Sequence, residues 1–222
     1  MEKTQNKTKG LNIRKKLILV TGMLLLIPVI ALGLISYTVA KRELEENGKI
    51  LLKNSVDMTL QVIDQNQTLV DGGKLTLSDA KERVREYMLG KKKADGTRPI
   101  NKNLSLGENG YLLAYTQAGV EAAHPTLEGK NVIDVKDKKD GSYLVKNQIK
   151  IGNNGGGYLT YWWTITNSDK IASKITYQKT DPNWGWVVSA GTYINDFNVG
   201  SNKILHTTLF VLLAVLVLGS VI

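Results

Sequence analysis

GYLTYWWTITNSDKIASKITYQKTDPNWGWVVSAGTY, residues 157–193, is the stretch on which the fold turns. It holds three runs rich in Tyr, Trp, Thr, Val and Ile: Tyr158–Thr166, Ile171–Lys179 and Trp186–Tyr193. The separators, Asn167-Ser-Asp169 and Asp181-Pro-Asn183, are made of residues that turn a chain. β-Branched and aromatic side chains fit a pleated, half-buried surface, so the stretch reads as three strands joined by short turns.

Working upstream, Tyr111–Thr116 and Val120–His124 flank Gln117-Ala-Gly119, a hairpin signal followed by a turn over Pro125 to Gly129. Ser142–Ile151 has a helical pattern through Leu144, Val145 and Ile149, and ends in Gly152-Asn-Asn-Gly-Gly-Gly157. Gly90 to Gly107 is polar, holds the basic residues Lys91, Lys92, Lys93, Arg98 and Lys102, and reads as a loop. Before it, Thr76-Leu-Ser-Asp79 matches a capping box that opens a helix marked by Ala80, Val84, Tyr87 and Met88. Earlier still, Leu44, Leu51, Leu52, Val56, Thr59, Val62, Ile63, Leu69 and Val70 form one apolar stripe at spacings of three, four and seven. Gly48 is a weak point in that helix, and Asp71-Gly72-Gly73 suits its C-terminal cap. The expected fold class is α+β: a long N-terminal helix and a second helix packed on a five-stranded antiparallel sheet, flanked by transmembrane helices.

The flanks are apolar. Leu17 to Ala40 carries no charge, and roughly 20 apolar residues cross a bilayer core. The run is longer than a signal-peptide core and is followed directly by Lys41-Arg42, so it is expected to stay as an anchor. Ile204 to Ile222 is a second such run reaching the last residue, and the chain is expected to continue past it in a longer protein. Residues 1–16 carry Lys3, Lys7, Lys9, Arg14, Lys15 and Lys16 against Glu2, which places the N-terminus in the cytoplasm. The expected organisation is a cytoplasmic basic tail at 1–16, a first span at 17–40, an extracytoplasmic domain at 41–203 and a second span at 204–222. Five of the nine net positive charges belong to the tail, so the basic balance reflects topology and solvation, and no nucleic-acid partner is expected. The absence of cysteine removes disulfide and cysteine-based metal chemistry.

Within the outer domain, Lys174 is the sharpest candidate, a lysine in a strand of Ile, Ala, Ser, Ile, Thr and Tyr. Facing inward it needs an anionic partner; the alternative is a lysine on the solvent face of its strand. Tyr161 and Trp163, two apart, share one strand face and suit an aromatic pocket wall, although core packing gives the same pattern. Tyr177 is three from Lys174, so strict alternation separates the two unless the strand carries a bulge. His124 ends a strand and has a donor for a carboxylate, against the commoner structural role of a lone histidine; Tyr115 lies on the neighbouring strand. Trp184, Trp186 and Tyr193 are assigned to core and turns. Asp134, Asp137 and Asp140 lack the alternate oxygen ligands of a calcium loop, and the glycine run lacks the Lys-Ser/Thr of a phosphate loop. Two histidines build no metal cluster, and no serine sits in a Gly-x-Ser-x-Gly elbow, so neither a cofactor nor catalysis is expected.

Taken in order, Gly110-Tyr111, His124-Pro125, Gly129-Lys130-Asn131, Gly157-Tyr158 with Tyr161-Trp-Trp163, Lys174-Ile-Thr-Tyr177, Trp184-Gly-Trp186 and Gly191-Thr-Tyr193 resemble the single Cache sensor family. These PAS-like domains lie outside many methyl-accepting chemotaxis receptors, and the match covers about 110 to 196. Two departures touch the ligand region. The arginine-tyrosine pair common before the Gly-Tyr is replaced by Asn103 to Asn109, and a proline-glycine after the tryptophan by Thr164-Ile-Thr-Asn167. The resemblance implies a non-enzymatic receptor with Lys174 at its pocket; with Tyr161, Trp163, Tyr177, His124 and Tyr115 as the further candidates, the expected ligand is a small anionic metabolite, a carboxylate. The apolar stripe of the helix Lys41–Val70 has more positions than one face of a sheet covers, which predicts a homodimer through that helix. A chemotaxis transducer is the first expectation for the output; a sensor kinase or cyclic-dinucleotide enzyme, or an adhesion module, are the alternatives.

Overall fold

The computed structural model describes residues 12–165 and 168–221, with side chains of the last helix described through 217. The tail before residue 12 and the Thr166-Asn167 part of the second family departure lie outside the described residues. Two compact units divide the chain, one formed by the helical segments through Glu43 and from Val199, the other by Leu44–Asn198. In the first unit, helices α1 (Ile13–Asp71) and α5 (Val199–Val221) are long and apolar enough to cross a membrane. Their apolar side chains, such as Leu24, Ile27, Leu32, Phe210 and Leu213, stand exposed. In water such a surface has no stable explanation, whereas lipid tails cover it.

The second unit is built on a sheet of β1 (Tyr111–Tyr115), β2 (Glu121–Ala123), β3 (Gly157–Thr164), β4 (Ile171–Thr180) and β5 (Val187–Tyr193). The strand order is β2-β1-β5-β4-β3, antiparallel throughout. α2 (Leu77–Met88) starts as the capping box requires, Thr76 Oγ1 accepting from the Asp79 amide at 3.1 Å. The C-terminal end of α1 closes in a Schellman turn, with the Lys74 amide donating to Leu69 O and the Gly73 amide to Val70 O. α1 contributes Leu52, Val56, Thr59 and Ile63 to the core, and α2 contributes Ala80, Val84 and Met88. Gly48 is no weak point: a Cβ there would stand 2.3 Å from the Phe197 ring, so the glycine is what lets the short helix α4 (Ile194–Phe197) close against α1.

β2 is shorter than the sequence suggests. Val120 leaves the ladder to bridge Asn131, and the register slips between Ala114 and Tyr115 opposite Glu121. α3 (Leu144–Asn153) lies on the other side of the sheet from α1 and α2. The sides are fixed by contacts: Gln148 of α3 bonds Thr176, whereas Asp57 of α1 meets Lys179 and Tyr158 donates to Lys49 O. The basic loop at 90–107 holds a short 3-10 turn, and its Arg98 is buried rather than part of a surface cluster.

Candidate functional site

Period-two alternation and the strand register decide which side chains meet. Tyr161 pairs with Lys174, and Lys174 with Tyr193; Thr176 pairs with Gly191, and Gly191 with Tyr111; Tyr115 pairs with Glu121. All of these face α3. β4 pairs without a break from Ile171 to Thr180, so Tyr177 falls on the α1 side, its ring 4.9 Å from that of Tyr158. The bulge that would have brought it beside Lys174 does not occur, and Tyr177 is corrected out of the cluster.

Between α3, the 125–135 segment and this sheet face lies a cavity of about 30 Å³. Its wall includes Tyr111, Tyr115, Glu121, His124, Gln148, Tyr161 and Trp163. That volume holds one or two water molecules. An outer pocket of about 480 Å³ shares Tyr111, His124, Leu127 and Trp163 with it and adds Thr164, Ile165, Ser168 and Asp169. Trp163 stands at the junction, edge-to-face with Tyr161 at 6.5 Å and with the Lys138 ammonium 5.4 Å from its ring. The loop carrying Lys138 is pinned to the free edge of β3. The Asp137 carboxylate accepts from the amides of Trp162, Lys139 and Asp140, and the Lys138 amide donates to Trp162 O.

Lys174 is 1% exposed and adjoins the wall rather than forming part of it. Gly191 makes this possible, because a Cβ there would stand 2.5 Å from Thr176 Cγ2 and 3.1 Å from Lys174 Cε. The lysine leans over that gap until its ammonium lies 3.8 Å from the centre of the Tyr111 ring and 5.4 Å from that of Tyr193. Burial lowers its pKa to about 7, opposed only by the field of Glu121. Glu121 is 3% exposed; burial pushes its carboxyl well above the usual range, with Lys174 pulling the other way, and its Oε2 has no partner.

His124 has its tautomer fixed by the backbone. Nδ1 accepts from the amides of Thr126 and Leu127, each at 3.0 Å, so the ring hydrogen is on Nε2. Burial, then the Lys174 charge, lower its pKa to about 3, leaving a neutral imidazole packed edge-on against Tyr111. Burial likewise raises the phenols of Tyr111, Tyr115 and Tyr161, which stay neutral donors. Gln148 approaches the Tyr161 hydroxyl and donates through Nε2 to Thr176 Oγ1 at 3.1 Å, while its Oε1 is left without a hydrogen bond. The chemistry present is recognition: one buried cation, neutral donors and unpartnered acceptors around a small void.

The structure therefore brings together Lys174, Tyr161, Trp163, His124 and Tyr115. Sequence reasoning passed over Glu121, Gln148 and Tyr111. Glu121 had a signal, since it is the one charged residue between Val120 and Ala123, the same argument that singled out Lys174.

The single Cache domain 2 family matches residues 44–207. A sensor histidine kinase, MctS of Rhizobium johnstonii, is 31% identical over 100 residues, 44% of this chain and 22% of its own length. The chain thus spans about a fifth of that curated relative. Among solved structures, a methyl-accepting chemotaxis protein from Vibrio parahaemolyticus is 25% identical with a TM-score of 0.53, covering 73% of this chain and 99% of its own. A Cache chemosensory domain whose carboxylic acid recognition has been described shares the fold at 19% identity and a TM-score of 0.55, covering 68% and 97%. With the family match extending over most of the chain, this protein belongs to the single Cache domain 2 family.

Proposed function

We propose that this chain is the sensing region of a transmembrane receptor that binds a small carboxylate in the cavity between α3 and the sheet. The observation that carries the reading is Lys174, a buried cation with aromatic rings around it, beside a void lined by His124 and Tyr161. A buried ammonium at the edge of a cavity gains most from an anion delivered there. Tyr115 and Trp163 complete the binding wall. The recognition of carboxylic acid by a neighbour of the same fold is consistent with this chemistry.

In this reading residues 1–16 lie in the cytoplasm, 17–40 and 204–222 span the membrane, and 41–203 lie outside. The domain binds without catalysis and pairs with a second copy along Lys41–Val70. Ligand acts by favouring one of two states that it binds unequally. A chemotaxis transducer is the leading output, and the histidine kinase relative favours a kinase as the second.

Thermal unfolding of the full chain in detergent, screened against small carboxylates, tests the reading. Ligand at ~100 times its dissociation constant adds ~2.7 kcal/mol to stability. A panel in which neutral or cationic metabolites raise the midpoint and no carboxylate does would reject it. Topology is checked separately by labelling a cysteine placed at Asn153 from outside intact cells, which should succeed.

A further inference from the structure

Away from the cavity, Trp162 and Ile171 stand uncovered on the α1 side of the sheet. Trp162 pairs with Ser173 and Thr164 with Ile171, so the two side chains share that face, Ile171 51% exposed and Trp162 half-buried. α1 misses them because it crosses the sheet diagonally, meeting Tyr158 at Lys49, Lys179 at Asp57 and Asn183 at Asp64. β4 and α1 therefore rise the same way, and the start of β4 lies back toward the start of α1 in this unit. The eight strand residues from Lys179 to Ile171, at ~3.3 Å each, cover ~26 Å, and the thirteen helix residues from Asp57 to Leu44, at ~1.5 Å each, cover ~20 Å. With the diagonal allowed for, Ile171 and Leu44 are level.

Both connections to the apolar helical segments leave from this end. The unit begins at Leu44 and ends at Asn198, and Gly48 packs on the Phe197 ring. Four helical residues, ~6 Å, separate Leu44 from Ala40, the last residue of the charge-free run. The polar layer on each side of a bilayer core is ~5–8 Å deep, so the chain leaves this corner directly into it.

The side chains suit such a layer. Tryptophan is favoured where one part of its ring is apolar and the other wet, and lysine keeps an apolar stem beneath a charged head. The Lys139 ammonium lies 3.9 Å from the centre of the Trp162 ring, and Lys170, exposed, precedes Ile171. Asp137 turns its carboxylate inward to accept from three backbone amides, while Lys138 and Lys139 stay exposed. Asp140 and Asp169 are exposed as well, so the lysines of the two segments hold a small positive excess.

We propose that this corner, Trp162 and Ile171 with Lys139 and Lys170, docks on the phospholipid headgroup layer, its ammoniums meeting lipid phosphates. A second copy of the chain is the competing occupant. The departure of both chain ends toward membrane-spanning helices from the same corner favours lipid.

The test uses the full chain in nanodiscs of phosphatidylcholine and phosphatidylglycerol, with headgroup spin-labelled lipid as quencher. The chain has no cysteine, so Thr160→Cys, exposed on the same face as Trp162, takes a single fluorophore, and Asn183→Cys in the turn beyond β4 is the control. The label at 160 should be quenched and that at 183 should not. Ile171→Ser should weaken the quenching. Lys139→Gln and Lys170→Gln should each lower the docked-to-free ratio about fivefold, what one lysine contributes at an anionic surface, and added salt should act in the same direction. A label at 160 quenched no more than the one at 183 overturns the proposal. Quenching that survives the loss of both lysines overturns the phosphate contacts. Disulfide-linked dimers of unlabelled Thr160→Cys in place of quenching would assign the corner to a second copy and overturn lipid docking.

Discussion

The Lys174 ammonium rests 3.8 Å from the centre of the Tyr111 ring, with Gly191 leaving the space through which its side chain passes. Two aromatic faces thus stand where a counter-ion would be expected, Tyr193 being the second at 5.4 Å. A cation over an aromatic face recovers part of what burial removes, but only part. The lysine is left underpaired in the ligand-free protein.

Lys174→Met should therefore stabilise the ligand-free domain at pH 7 while abolishing its response to carboxylates. The gain expected for an apolar replacement of a buried ionic group is about 1–4 kcal/mol. Its pH dependence follows from the folded pKa of about 7 against ~10.4 in the unfolded chain. Between those values the unfolded chain binds more protons, so wild-type stability rises with pH through this window. The methionine advantage should accordingly shrink from pH 7 to pH 10. Denaturant titrations at both pH values decide it; a variant less stable than wild type at pH 7 would contradict the account.

His124 should show the Nε2–H tautomer and no titration near pH 6.5. Its Nδ1 is occupied by two backbone donors, and protonating it would break both bonds. The folded pKa of about 3 lies below the unfolded ~6.5, so the unfolded state binds the extra proton and the contribution to stability is lost as pH falls from 6.5 toward 3. Nitrogen-detected NMR of the imidazole reads the tautomer directly. A ring that titrates near 6.5 in the ligand-free protein would rule out the two amide bonds to Nδ1.

Arg98 makes a prediction about stability rather than binding. Its guanidinium, 1% exposed, meets Glu82 at 2.8 Å and Glu128 at 2.5 Å and donates to Gly90 O, tying α2 to two loops. Arg98→Met should cost about 1–3 kcal/mol, discounted because Glu82 is 41% exposed. The ion pairs hold both carboxyls below their usual range, although burial is the largest influence on Glu128 and opposes this. Their contribution is present above the unfolded value of ~4.3 and lost as pH falls through the folded values. The difference between wild type and variant should thus close in acid. A difference independent of pH would assign the loss to packing alone.

Much of this fold was readable because its signals are local. The Thr76 cap, the glycines after Asp71 and the period-two strands each act within a few residues, and each is found where the sequence put it, β2 alone being shorter. The site was legible only in part, because a face is a period-two property whereas a wall is a three-dimensional one. Alternation separated Tyr177 from Lys174 but said nothing of Gln148, which reaches the cavity from a helix. Gly48 looked like a defect because Phe197, which needs the space, is far away in sequence. Arg98 looked like surface charge because its two glutamates lie 16 and 30 residues away.

The last prediction concerns pairing along α1. Ile50, Leu51 and Met58 are exposed on this helix, whereas Leu52, Val56, Thr59 and Ile63 are buried against the sheet. Leu51 and Met58 are seven residues apart, so they lie on one side of the helix, away from its core-facing stripe. A helix of this length with apolar residues on two sides has one side left to cover, and a second copy supplies a self-complementary surface. The chain contains no cysteine, so single cysteines report without background. Leu51→Cys and Met58→Cys in the membrane-embedded full chain should each form disulfide-linked dimers on mild oxidation. Thr59→Cys, at a buried position, should not. Crosslinking at Thr59 alone, or at none of the three, would place the dimer contact elsewhere. The spans raise the effective concentration of one copy for the other, so crosslinking should weaken when the protein is dispersed in excess detergent.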